Sequence, residues 1–169
     1  MKLSELFLGE LERESSGTRR VLERVPEGRN DWKPHEKSMA LGYLAGLVAS
    51  MPGWIPMMVN QDQMDVASPE FAKYKPQAWA SNKDLVRLLD KSLAEAREAL
   101  KNASDEHLMK PWKFVVGAHV AGEMPRYIMI RDYVLNHMAH HRGQLTVYLR
   151  LCGALVPAVY GPSADERGF

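Results

Sequence analysis

The chain has 169 residues, 46% of them apolar and 25% charged, which excludes a disordered or fibrous polymer and suffices for one domain, 1–169, with a buried core. Lys plus Arg number 22 against 21 for Asp plus Glu, and a net charge of +1 gives no basic excess for a nucleic-acid partner. A lone cysteine, Cys152, excludes an internal disulfide framework and suits a reducing compartment.

In chain order, the first predicted element is a helix over 3–25. Leu3, Leu6, Phe7, Leu11, Val21, Leu22 and Val25 recur at helical steps of three and four. Gly17 weakens its middle by about 1 kcal/mol relative to Ala, and Pro26 and Gly28 end it. This opening segment turns acidic before any long apolar stretch, unlike a signal peptide. After a loop over 27–37, Ser38 is a plausible N-cap for a second helix carrying Leu41, Leu44, Ala45, Leu47, Val48 and Met51. Pro52 and Gly53 interrupt it, and Trp54 to Val59 continue as a kinked turn. A long connection over 60–80 follows, of a length that usually has work to do.

Ser81-Asn82-Lys83-Asp84 resembles a capping box, and Leu85, Leu88, Leu89, Leu93, Ala96 and Leu100 then form one helical stripe. A short turn over 104–108 precedes Trp112, Phe114 and Val116, whose alternation with Lys113 and Val115 predicts a hairpin over 111–124. The last helix is expected from about Met124 to Leu151, with Pro125 at its first turn and Gly153 closing it. The tail over 154–169 is expected to lie over the helices. No stretch of about 18 uninterrupted apolar residues predicts a membrane span, and the expected location is the cytoplasm. The fold class expected is all-α: a four-helix bundle with a long crossover and a short β-hairpin.

The chemistry concentrates in the last helix. At 100° per residue, His137 and His141 lie about 40° apart, one turn from each other, an arrangement by which a helix offers two imidazoles to one metal. Gln144 follows on nearly the same face, placed to hydrogen-bond a ligand histidine. His140 lies about 60° to the other side of His137. The alternative is that the cluster is a set of partly exposed polar side chains. His35 is expected to hydrogen-bond within its loop, and His107 and His119 to sit at the surface. Trp32, Trp54, Trp79 and Trp112 are expected in packing. The ten methionines are read as gap-fillers before an adaptable lining. Cys152, near a helix C-terminus, is no nucleophile candidate.

The string HMAHHRGQLTVYLRL followed by VPAVYGPSADE resembles the C-terminal signature of the DinB-like (YfiT-like) family. TRRVLERVP, WKPHEKSMALGYLAG and MPGW resemble its N-terminal half, so the resemblance spans nearly the whole chain. It implies an up-down-down-up four-helix bundle, frequently a homodimer, with a divalent metal such as zinc or nickel held by three histidines. Two of these match His137 and His141. The third belongs on the second helix in a motif like LGxLAxH, where this chain has Leu41-Gly42-Tyr43-Leu44-Ala45-Gly46-Leu47. Leu47 has no lone pair, so weak or absent metal is expected. Tyr43, one turn earlier, is a poor substitute ligand. Two functions are therefore carried: a metal-dependent enzyme of thiol-transferase or hydrolase type acting on an unknown small molecule through a degraded site, or a metal-free binding or stress-response module.

Overall fold

The structure, a computed structural model, describes residues 1–74 and 79–167. Helix α1, Leu3–Leu22, opens with the Lys2 backbone N–H donating to the Glu5 carboxylate and buries Phe7, Leu11, Val21 and Leu22. Helix α2, Leu41–Ser50, starts two residues later than an N-cap at Ser38 predicts. Ser38 is held in a turn by its own N–H, which donates to the His35 carbonyl, and Ala40 occupies the cap position with no side-chain bond. The N–H groups of Leu41 and Gly42 donate instead to the carbonyls of Trp32 and Asn30, so the preceding loop satisfies the helix end that a cap side chain would otherwise serve. That docking explains Gly42: a Cβ there would lie 2.9 Å from the Asn30 side chain.

A 3₁₀ turn over Met51–Trp54 carries α2 into the short helix α3, Ile55–Asn60, the kinked continuation that Pro52 and Pro56 predict. The run Leu41–Asn60 reaches a mean hydropathy of 1.2, enough for a membrane span by length and composition although its apolar residues are interrupted. Of its most apolar window 72% is buried within the protein, as in a core helix. Helix α4, Asn82–Lys101, has the predicted capping box: Ser81 Oγ accepts from the Asp84 N–H and the Asp84 carboxylate accepts from the Ser81 N–H. Its stripe Leu85, Leu89, Leu93, Ala96 and Leu100 is buried against α1, α2 and α3.

The all-α expectation is corrected by a three-stranded sheet. The connection after α3 contributes β1, Gln63–Asp65. After the one-turn helix α5, Asp105–Met109, come β2, Pro111–Val116, and β3, His119–Pro125. β2 and β3 form the expected antiparallel hairpin around Gly117, whose φ of 61° suits glycine. β1 joins β2 in parallel, Gln63 opposite Lys113. Pro125 closes β3 rather than opening the last helix, which starts at Arg126. That helix runs without a break as α6, Arg126–Ile130, a π-helical turn over Arg131–Asn136, and α7, His137–Leu151. Gly153, at φ 76°, ends it as predicted.

Two buried arginines fasten these parts. Arg126 donates to the carbonyls of Lys110, Pro111 and Gln61 and pairs with Asp62, tying both sheet connections to the start of α6. Arg142 donates to Thr18 Oγ1 (2.9 Å), pairs with the Glu14 carboxylate (2.7 Å) and bonds the Tyr160 hydroxyl, which also donates to Glu14. The tail is thus tied to α1, and Asp165 holds it again through Arg150 and the Val156 N–H. Gly17 belongs to this contact: a Cβ there would lie 2.9 Å from Val159.

Candidate metal centre

His137 and His141 come together as their spacing predicts. Their Nε2 atoms are 2.8 Å apart, and the ring centroids 4.5 Å. Gln144 also takes its expected place. Its Oε1 lies 2.7 Å from His141 Nδ1, while its Nε2 lies 3.0 Å from His140 Nε2. An amide nitrogen can only donate, so the Gln144 Nε2–H donates a hydrogen bond to His140 Nε2 and the Gln144 oxygen accepts the His141 Nδ1–H. His141 is thereby fixed as the tautomer with a bare Nε2 lone pair, and that lone pair points at His137. Either His137 Nε2–H donates to it, or both nitrogens are bare and require a cation between them.

The surroundings keep both rings neutral. His141 is 5% exposed and His137 partly buried. Burial lowers the pKa of each below 6.5, and the neighbouring histidines add to the shift. The Gln144 contact opposes this at His141, and the Tyr133 carbonyl opposes it at His137 without a well-aligned bond to Nδ1, which has no partner among the described residues. Neutral imidazole is the metal-binding form. At 2.8 Å the two Nε2 atoms are closer than the about 3.3 Å that separates two nitrogens bound to one tetrahedral zinc ion.

The other candidates lie elsewhere. Leu47 is buried (6% exposed) on α2, which packs against α7. Tyr43 is 47% exposed, which turns its phenol away from the interior. His140 is exposed and engaged with Gln144. His35 Nδ1 accepts from the Lys37 N–H within its loop, as expected, and His119 is exposed on β3. His107, also expected at the surface, is half-buried with Nε2 2.7 Å from the Val59 carbonyl. Among the described residues no group of three His, Cys, Asp or Glu converges.

Sequence reasoning missed a cavity of about 240 Å³ beside the pair. His137 and Tyr133 form one wall; Trp54, Met57 and Met58 from the α2–α3 junction, Met64 and Val66 around β1, Phe71, and Trp112 and Phe114 from β2 form the rest. Met57 and Met58 are thus a lining, whereas Met51 and Met129 are core. Trp54 packs 6.0 Å from the His137 ring, and Phe114 stacks on Tyr133 at 5.9 Å. The period-two pairs Met64/Val66 and Trp112/Phe114 were the available signal. Their convergence depends on the parallel β1–β2 pairing, for which no local pattern exists.

A mostly helical protein with a small three-stranded sheet, and a histidine pair on its last helix beside an apolar cavity, is the class these features define. Within that class the chain belongs to the DinB family, whose sequence profile matches residues 1–167. It is similar to a DinB-like protein from Bacillus cereus ATCC 10987, at 25% identity and a TM-score of 0.70 over 92% of this chain and 97% of that one. An uncharacterised Bacillus subtilis (strain 168) protein, YrdA, is 33% identical over 69 residues, 41% of this chain and 38% of that protein's length. The fold is also that of the mycothiol-dependent maleylpyruvate isomerase, at 15% identity and a TM-score of 0.52, over 92% of this chain and 65% of that one.

Proposed function

We propose that the protein is a divalent-metal-dependent enzyme whose site is built on His137 and His141. The observation that carries this reading is the convergence of their Nε2 atoms at 2.8 Å, with Gln144 holding the His141 lone pair inward. The reaction class is thiol transfer or hydrolysis, because the chemistry a divalent ion supplies is Lewis acidity that makes a bound thiol or water nucleophilic near neutral pH. His137 and His141 would hold the ion as neutral imidazoles, Gln144 would orient the His141 ring, and the apolar wall of Trp54 and Tyr133 would exclude bulk water. The mycothiol-dependent isomerase of the same fold makes thiol chemistry the first activity to assay.

With zinc or nickel held by only two protein nitrogens, binding is weak. Leu47, buried and apolar where the family resemblance implies a third histidine, favours a second reading: a metal-free binding or stress-response module. Calorimetric titration of untagged protein with zinc and nickel separates the two. Weak, saturable uptake of one ion per chain that disappears in His141→Ala supports the enzyme; no uptake at millimolar metal leaves the binding module. We read α1, α2–α3, α4 and α6–α7 as the four helices of an up-down-down-up bundle, acting as a cytoplasmic homodimer without nucleic-acid or membrane partners.

A further inference from the structure

The cavity beside the histidine pair has an entirely apolar surface: Trp54 and Trp112 line it with their rings, while their Nε1 atoms are buried out of contact with it. Among the described residues no Lys, Arg, Asp or Glu lines the cavity, so a charged ligand would lose its hydration with no ion pair from them in return. Aromatic rings and flexible thioethers dominate instead, surfaces that stack on a flat ring and adapt to its outline. An apolar cavity of about 150 Å³ accepts benzene, so one of about 240 Å³ has room for a second ring or a short substituent.

We infer that this cavity binds an uncharged aromatic molecule of one to two rings, held among Trp54, Trp112, Phe114 and Tyr133. It rests on the proposed metal-site reading only in taking that molecule as the substrate, since His137 belongs to both the cavity wall and the histidine pair.

The test uses 2-acetylnaphthalene, with the 2-naphthoate anion as the charged counterpart, on full-length protein both metal-stripped and zinc-loaded. Binding is followed by tryptophan fluorescence and by NMR of ¹³C-methyl methionine. Saturable binding of the ketone is expected, with shifts at Met57, Met58 and Met64 and none at the exposed Met109, and at least tenfold weaker binding of the anion. Val66→Phe, checked for folding by circular dichroism, narrows the cavity and should weaken the ketone at least tenfold. No saturable binding, shifts confined to other methionines, or equal affinity for the anion overturns the inference; the methionine spectra decide it even if Val66→Phe does not fold. Ketone binding by metal-stripped protein that never takes up zinc would sink the metal-site reading alone and leave the cavity assignment standing.

Discussion

At the scale of single residues, the histidine pair is set by what faces it. Gln144 decides which nitrogen of His141 carries the proton. Gln144→Leu therefore frees His141 to present Nε2–H toward His137, and zinc affinity measured by calorimetry should fall by about 10–100-fold, as for other residues that orient a metal ligand. Leu47→His should strengthen binding at least tenfold, about 1.4 kcal/mol, if the ring reaches the pair. The opposing cost is the strain of an imidazole at a buried leucine position, about 1–3 kcal/mol. Tight binding by wild type would show instead that Leu47 is not a lost ligand. The pair also shapes stability against pH. Burial holds both histidines below their ordinary 6.5, so the unfolded chain takes up protons that the folded chain resists. Their contribution is fully present above pH 6.5 and is lost as pH falls through the two lowered values. Thermal melts should show a midpoint that drops with acid in that window, and His137→Gln with His141→Gln should flatten the slope.

At the scale of elements, what could be read from the sequence is what neighbours in sequence decide. The Ser81 capping box and the leucine stripe of α4 follow from residues within two turns of each other, and Ser81→Ala should cost about 1 kcal/mol in chemical denaturation. The one-turn spacing of His137 and His141 was legible for the same reason. Ser38 misled because carbonyls from Asn30 and Trp32, not a side chain, receive the first N–H groups of α2. Met64 pairs in parallel with Phe114, fifty residues on, and neither that register nor the cavity it closes has a local signature. Arg142 reads as one more polar residue of the HHRGQL stretch, yet its partners Glu14, Thr18 and Tyr160 come from the far helix and the tail. Gly17 looked like a helix weakness and is a docking point. Gly17→Ala should lower the melting temperature despite its better helix propensity, because the new methyl meets Val159, and adding Val159→Ala should restore it.

At the scale of the whole molecule, Val147 and Leu151 stand exposed one turn apart on α7, and Met39 lines the same surface groove as Val147. The proposed homodimer would form on this face, where Lys37, Ser38 and Gln144 share the groove with Met39 and Val147. Sedimentation should give twice 19.1 kDa, and Val147→Glu with Leu151→Glu should yield the monomer; a monomeric wild type would refute the assembly. The histidine pair, the cavity and the sheet meet where α6 passes through its π-helical turn into α7, and the proposed function requires that this junction hold a metal. Zinc titration of untagged, chelator-stripped wild type and His141→Ala, followed by calorimetry, tests it most directly. Weak, saturable binding of one ion per chain is expected in wild type and none in the variant. Binding that is unchanged in His141→Ala, or absent from both, would contradict the proposed function.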